Sequence, residues 1–430
     1  MKKRKFLFVL TTLVVLLVGC STPPERIIKY TTNDNCKIEF KDGKFGEAKL
    51  VSNEFNEEEQ CFYAKFDKDV KTIGKEALSG HSALTSITIP SSVKNIGESV
   101  FYDCGSLKAV HIGDIAAWCN IEFVNTTSNP LCSSATLFLN GEVISELVIP
   151  ENITEIKDYA FSCCSSLKSV AFPAVVKKIG KDAFSKCDSL IYVEIPDSVV
   201  SIEARTFYGC KMLENVKIGK NVKNIGESAF YACHYALISL PDSISNIGDN
   251  AFWNCNGFKE INLSNIEVIG ANAFQYCYFL ENVTIGDKVK TIGKSAFENC
   301  VRLESVEISG GEIGGWTFKG CEKLKTVKLN TGVKSVGEYA FYSCSGITSI
   351  TIPNSITEIG NQAFAYCVGL RKLNLGKGLR SIGNYAFVGC SKLRDVNWAS
   401  DRKKIRYDYE SVFCGTEYRV QEYLWREFAR

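Results

Sequence analysis

Apolar and polar positions follow one pattern that repeats along most of the chain. In residues 179–199 it reads I-G-x-x-A-F-x-x-C-x-x-L-x-x-V-x-I-P-x-x-V, and Ile202 begins the next copy. The V-x-I segment alternates apolar and polar residues with period two, which is typical of a half-buried strand. Pro and a small polar residue follow this strand in several copies, where they predict a strand end and a turn. The Ala-Phe pair is predicted to lie in a short helical or 3-10 turn that fills the core.

Copies of this pattern recur with a usual period of 23 residues. Thirteen copies begin at Ile73, Ile96, Ile156, Ile179, Ile202, Ile225, Ile247, Ile269, Ile292, Ile313, Val336, Ile359 and Ile382. Because no single copy has a core of its own, the copies must stack and bury their apolar positions as continuous columns. With strands about 4.8 Å apart, thirteen turns predict one rod-shaped domain of roughly 60 Å.

The repeat resembles that of the BspA-type leucine-rich repeat surface proteins, which carry 23-residue repeats of the treponemal kind. The resemblance covers about residues 70–397. It implies a leucine-rich repeat solenoid of about 13 repeats, right-handed, with a parallel β-sheet on one face and short helical or 3-10 turns. It also implies a location at the cell surface and binding to host proteins or other cells.

Three segments depart from the repeat. Residues 119–155 predict a variant, longer turn that carries a hairpin, with Asn140-Gly141 as its turn. Residues 34–69 are expected to form an N-terminal cap with a few strands. Residues 398–430 are expected to form a C-terminal cap, because solenoid ends need covering. In that cap Val420, Tyr423, Leu424 and Phe428 recur at helical spacing and predict a helix.

The N-terminus has the features of an export signal. Four basic residues at positions 2–5 precede an apolar run at 6–18, which is too short to span a membrane comfortably. The run ends in Leu17-Val18-Gly19-Cys20, which resembles the lipobox of bacterial lipoproteins. The resemblance implies removal of residues 1–19, a lipid on Cys20 that anchors the chain to a membrane, and a tether over residues 20–33. Ser21 after the lipidated position favours sorting to an outer membrane or cell surface.

Charge gives no argument for a nucleic-acid partner. The chain has 50 Lys and Arg against 48 Asp and Glu, and removal of residues 1–19 takes away four basic residues. The mature net charge is therefore near −2, without a basic patch that would attract a polyanion. We expect no nucleic-acid partner and a monomer.

Cysteine is abundant, and most of it stands at one repeat position. Twelve copies carry it: Cys104, Cys164, Cys187, Cys210, Cys233, Cys255, Cys277, Cys300, Cys321, Cys344, Cys367 and Cys390. We interpret these as small buried residues whose thiols meet backbone carbonyl groups. Outside this column, Cys36–Cys61 in the cap and Cys119–Cys132 in the variant turn are candidate disulfides for an exported protein. No metal site is expected, because no C-x-x-C occurs and His is scarce.

Motifs for catalysis are missing from the sequence. The three histidines are scattered over different repeats and no H-E-x-x-H is present. Gly293-Lys294-Ser295 is similar to part of a phosphate-binding loop, but it only occupies the second to fourth repeat positions. We therefore expect no enzyme activity and no cofactor.

The outward positions of the strands form the predicted working surface. The candidate ligand-binding residues on it are Tyr192, Asn215, Lys217, Glu260, Asn282, Glu307 and Lys328. A rigid polar array of this kind suits a broad contact better than a small-molecule pocket. The exposed aromatic residues lie instead in the turns, at positions such as Tyr208, Trp253 and Tyr276.

We therefore predict a protein-binding adhesion scaffold whose partner is a host matrix protein, a host cell or another bacterium. Two alternatives stay open. One is capture of glycans for nutrition, which aromatic platforms would favour. The other is a structural role in the envelope without a dedicated ligand.

Overall fold

The repeats fold as a stack of short turns, each adding a strand to the sheet of the turn before it. The structure is a computed structural model that describes residues 25–399 and 401–417. The predicted signal peptide, Cys20 and the cap-helix positions Val420, Tyr423, Leu424 and Phe428 lie outside the described residues.

Strands make up nearly all of the regular structure. In chain order they are β1 Ile27–Thr32, β2 Leu50–Asn56, β3 Cys61–Phe66, β4 Thr72–Ile73, β5 Leu84–Thr88, β6 Asn95–Ile96, β7 Ala109–Ile112, β8 Glu122–Phe123, β9 Thr136–Leu139, β10 Glu142–Val143, β11 Glu146–Val148, β12 Glu155–Ile156, β13 Ser169–Ala171, β14 Lys178–Ile179, β15 Tyr192–Glu194 and β16 Ser201–Ile202. They continue as β17 Asn215–Lys217, β18 Asn224–Ile225, β19 Leu237–Ser239, β20 Asn246–Ile247, β21 Glu260–Leu263, β22 Val268–Ile269, β23 Asn282–Ile285, β24 Thr291–Ile292, β25 Ser305–Ile313, β26 Thr326–Val336, β27 Ser349–Ile352, β28 Glu358–Ile359, β29 Lys372–Leu375, β30 Ser381–Ile382 and β31 Asp395–Trp398. The helices are α1 Ile115–Cys119, α2 Tyr409–Val412 and three 3-10 turns at Thr126–Ser128, Pro130–Ser133 and Arg402–Lys404.

Two parallel sheets run along the stack. The V-x-I segments form the main sheet, in which β15 pairs in register with β17 and places Glu194 opposite Lys217. The residues that open each repeat form a second, narrow sheet of two-residue strands, such as β16 paired with β18. These pairings confirm the predicted leucine-rich repeat solenoid, which has about 14 turns.

The Ala-Phe segments form the third side of each turn and fill the core. The phenylalanines from Phe161 to Phe413 stack as a ladder, with neighbouring ring centroids 5.0–5.8 Å apart. Backbone N–H groups here donate to the next turn, as in the bond from the Phe161 N–H to the Ala183 carbonyl. One continuous apolar core therefore runs along the described solenoid.

The variant turn at residues 119–155 contains a repeat start that the sequence analysis missed. Phe123 on β8 lies in register with Ile96 on β6 and takes the place of the usual isoleucine. The helix α1 lengthens the preceding copy, so the 23-residue spacing does not reveal Phe123. The predicted hairpin is confirmed: β9 and β10 pair antiparallel around Asn140 and Gly141, which both have the positive φ of a type I′ turn.

The N-terminal cap begins earlier than predicted. The prediction of a tether through residue 33 is wrong, because β1 at Ile27–Thr32 lies between β3 and β5 and pairs antiparallel with both. Its alternating apolar side chains, Ile28 and Tyr30, are buried and cover the first turn of the core. At the other end, the described part of the C-terminal cap is joined to the solenoid by two hydrogen bonds that Arg394 donates to the Glu417 carboxylate.

Candidate functional site

All seven predicted ligand-binding residues lie on the outward side of the main sheet. Each alternates with a residue that points into the core, as Asn215 and Lys217 do on either side of Val216. The strands that carry them are β15, β17, β21, β23, β25 and β26. The period-two pattern therefore assigned the two sides of the main sheet correctly.

Side chains on this surface pair across neighbouring turns. Lys217 Nζ donates to Glu194, whose other oxygen accepts from the Tyr192 hydroxyl at 2.8 Å. The hydrogen bond from Lys217 lowers the pKa of Glu194, whereas desolvation and the Glu194 carboxylate raise the pKa of Tyr192 to about 12. This end of the surface is therefore polar, with its charges neutralised in pairs.

The same arrangement recurs further along the stack. Lys328 Nζ lies 2.6 Å from Glu307 Oε1, and Asn282 Nδ2 donates to Glu260 Oε1 at 3.3 Å. The hydrogen bond from Lys328 is the main cause of the lowered pKa of Glu307. Because each pair joins adjacent turns, these side chains are held in place relative to one another.

The predicted residues do not form one uninterrupted patch. Strands β11, β13, β15, β17 and β19 form one sheet, whereas β21 pairs only with β23 among the described residues. Tyr192, Asn215 and Lys217 therefore belong to a first group. Glu260, Asn282, Glu307 and Lys328 belong to a second.

A groove of about 870 Å³ adjoins the first group. Its walls include Val148, Phe172, Tyr192, Glu194 and Lys217. Small residues leave room for it, since Ala171 and Ala174 occupy positions that carry larger side chains in neighbouring turns. Sequence analysis missed Val148, which is 70% exposed, although an apolar residue at an outward strand position is the signal that would have found it.

The cysteine column is buried and structural, as predicted. From Cys187 to Cys390 each thiol donates to the carbonyl of the phenylalanine in the turn before it, at 3.0–3.3 Å. Burial raises the pKa of these thiols, to about 12 for Cys210 and Cys277. A thiol that stays protonated and enclosed is a poor nucleophile.

Both disulfide predictions are wrong in this structure. Cys132 is bonded to Cys163, with Cα atoms 5.0 Å apart, while Cys36, Cys61 and Cys119 are free thiols. Cys119 ends α1 and is fully buried as a free thiol, whereas Cys132 is half-buried and bonded to Cys163. The 3-10 turn that carries Cys132 lies over the Ala-Phe side of the stack, where Cys163 occupies an outward position. Cys163 directly precedes column member Cys164, and the spacing alone does not separate their roles.

Comparison with known proteins agrees with this geometry. A family model described as the BspA type leucine rich repeat region matches in six copies, over residues 48–128, 133–259, 201–311 and 302–417. No curated protein sequence matches the chain significantly. Among the residues that the structure describes, no helix is both long and apolar enough to cross a membrane.

Solved structures of two bacterial leucine-rich repeat proteins have a similar fold. A leucine-rich repeat protein from Bacteroides ovatus is 28% identical, with a TM-score of 0.59 over 86% of this chain and 92% of its own. A leucine rich cell surface protein from Faecalibacterium prausnitzii is 24% identical, with a TM-score of 0.46 over 86% of this chain and 97% of its own.

Proposed function

The chain belongs to the BspA type leucine rich repeat family, and on that premise we propose that it is a surface lipoprotein that binds a protein partner. The outward surface of the main sheet is the proposed binding surface. The partner would be a host matrix protein, a host cell or another bacterium. The lipid on Cys20 would hold the solenoid at an outer membrane or cell surface.

The cross-turn pairs on the sheet carry this proposal. Glu194 with Lys217, and Glu307 with Lys328, fix exposed side chains before any partner arrives. Association orders flexible side chains at a cost of roughly 0.5–1.5 kcal/mol each, and this cost falls when they are already held. A pre-ordered polar array therefore favours specific binding over general adhesiveness.

Size also favours a macromolecular partner. A stable protein interface takes about 800 Å² from each partner, which a broad sheet surface can supply. The groove beside Tyr192 gives that surface a recess for an apolar side chain, because Val148 and Phe172 form part of its wall. Hot spots of protein interfaces usually lie in such recesses.

A binding assay with matched variants tests the proposal. The full chain, purified in a detergent without sugar groups, is screened at physiological salt against extracellular matrix proteins and whole bacteria. The variant Tyr192→Ala/Lys217→Ala should bind a partner found in this screen at least about tenfold more weakly than the unchanged protein does. The control Lys177→Ala/Lys223→Ala changes exposed lysines at turn positions off the main sheet and should bind normally.

Two results would change the assignment. Equal losses in both variants would show that the sheet surface is not the binding surface. No binding by a folded sample would make the envelope-structural role the better description. The anchor is tested separately, because Cys20→Ser should move the protein from the detergent phase to the aqueous phase on phase partition.

A further inference from the structure

One repeat lacks a residue between its column cysteine and its main-sheet strand, and the main sheet is interrupted beside it. Five residues separate Cys233 from Ile238, whereas six separate Cys187 from Val193. Among the described residues, β19 pairs only with β17 and β21 only with β23. A notch of about 750 Å³ lies beside the segments that lead into β19 and β21.

Two exposed aromatic residues line this notch. Tyr235, Gly257 and Phe279 occupy the same position in three successive repeats, two residues after the column cysteine. A Cβ atom at Gly257 would lie 2.0 Å from the Ala236 carbonyl oxygen, so only glycine fits there. The aromatic residues are therefore two strand spacings apart, roughly 9.6 Å, with no side chain between them. We call this space the aromatic slot.

Arg302 sets the orientation of one wall. It occupies the same position in the next repeat, and its guanidinium carbon lies 4.4 Å from the centroid of the Phe279 ring. One face of Phe279 is thus covered by Arg302, while the side chain remains 46% exposed. On the opposite wall, Tyr235 is 63% exposed. Its one ring contact among the described residues is an edge contact with His234 at 6.5 Å.

The rim of the slot is polar and nearly neutral. Lys259 and Glu281 form an ion pair at 3.6 Å, so their charges cancel. His234 uses Nδ1 to contact the Asn254 carbonyl, which leaves Nε2 available for a hydrogen bond. The side-chain carbonyl of Asn254 accepts from Asn256, which leaves the Asn254 amide N–H groups to donate.

These features fit a neutral sugar ring. A ring held between two aromatic faces needs two carbon contacts of about 3.8 Å each, or roughly 8 Å in all, which the slot supplies. A pyranose presents C–H groups on its faces and hydroxyl groups around its edge. The faces would pack on Tyr235 and Phe279, and the hydroxyl groups would meet His234 and Asn254.

We propose that the aromatic slot binds a neutral hexopyranose unit of a glycan. Exposed aromatic clusters on a soluble surface commonly mark binding sites. The slot is separate from the sheet residues Tyr192 and Lys217, so this proposal does not rest on the proposed protein-binding function. The ion pair of Lys259 with Glu281 favours a neutral sugar at the rim over an acidic one.

Glycan binding by the full chain tests the slot. The protein, in a detergent without sugar groups, is screened against β-glucan, mannan and galactan, with polygalacturonate as the acidic comparison. Oligosaccharides of the best ligand are then titrated. Tyr235→Ala and Phe279→Ala should each weaken binding about tenfold, as expected for loss of one stacked face. The control Tyr385→Ala removes an aromatic side chain of similar exposure from another column and should leave binding unchanged.

Three outcomes would overturn the proposal. They are no binding of neutral glycans by folded protein, binding that both slot variants leave unchanged, and capture of aromatic peptides in place of glycans. The variant Tyr192→Ala/Lys217→Ala should keep its glycan affinity. Failure of the sheet surface and failure of the slot are therefore distinguishable.

Discussion

The column cysteines and the pair formed by Cys132 and Cys163 have opposite chemistry. In the column, each thiol is buried, and from Cys187 to Cys390 each donates to a phenylalanine carbonyl, as Cys277 does to Phe252 at 3.3 Å. In the variant turn, Cys132 forms a disulfide with Cys163, a residue directly before column member Cys164. The position of a cysteine relative to the repeat, not its compartment alone, decides what it does.

The difference follows from geometry. Successive column thiols are related by one step along the stack, so from Cys187 to Cys390 each meets the equivalent carbonyl of the turn before it, and all remain free thiols. The 3-10 turn at Pro130–Ser133 is not part of the repeat pattern. It brings the sulfur of Cys132 to Cys163, with which it forms the disulfide. New contacts thus arise where the repeat is broken, and the aromatic slot at the short repeat has the same origin.

The largest expected effect is loss of stability at alkaline pH, which would show that the column depends on neutral thiols. Burial raises the pKa of all twelve column thiols, to about 12 for Cys390. Their stabilisation is fully present below the unfolded pKa of about 8.5 and is lost as pH rises from there through the folded pKa. Each thiol then costs up to roughly 1.4 kcal/mol per pH unit. The urea midpoint should therefore fall steeply between pH 8 and pH 10.

A column variant isolates the thiols from other groups that titrate in this range. Cys255→Ala/Cys277→Ala should start less stable at pH 7 and lose less stability per pH unit than the unchanged protein. Parallel pH profiles for the two proteins would contradict the assignment to column thiols.

The next largest effect is the difference in stability lost when a buried and an exposed phenylalanine of one repeat are each replaced. Phe274 is fully buried and stacks at 5.2 Å on both Phe252 and Phe297, whereas Phe279 is 46% exposed. Phe274→Ala should lower the free energy of unfolding by about 3–5 kcal/mol because it leaves a cavity in the ladder. Phe279→Ala should lower it by less than about 1 kcal/mol. Urea unfolding followed by circular dichroism measures both, and similar losses would mean that the two positions do not differ in packing.

Sequence periodicity predicts what every turn shares. The solenoid, the buried cysteine column and the outward direction of Tyr192 and Lys217 all follow from the 23-residue pattern, because each position meets the same surroundings in every copy. The hairpin at Asn140-Gly141 was also predictable, since its turn chemistry is local.

Contacts between different repeat positions were not predictable in this way. The disulfide depends on how the variant turn folds over Cys163, and the start at Phe123 is concealed by α1. The slot depends on one missing residue after Ala236, whose effect is to separate β19 from β21. The signal for the slot was present as two exposed aromatic residues flanking Gly257, but only the packing of Gly257 against Ala236 shows that the gap must stay empty.

The smallest expected effect is the loss of stability when the disulfide between Cys132 and Cys163 is removed. The bond closes a sequence separation of 31 residues, for which a stabilisation of about 2–4 kcal/mol is typical. The variant turn keeps other attachments, because the Asn129 amide donates to the Tyr159 carbonyl at 2.7 Å and Trp118 Nε1 donates to the Ala160 carbonyl at 2.8 Å. We therefore expect Cys132→Ser to cost about 2 kcal/mol, at the lower end of that range.

Peptide mapping of the unreduced protein distinguishes the bond in the structure from the one predicted by spacing. A linked pair of peptides containing Cys132 and Cys163 is expected, while alkylation of the native protein should label the exposed thiols Cys36 and Cys414 and leave the column unlabelled. A link between Cys119 and Cys132 would require α1 to turn a fully buried residue outward. That result would mean that the variant turn packs differently on the stack, and the contrast between column and variant-turn cysteines would then rest on burial alone.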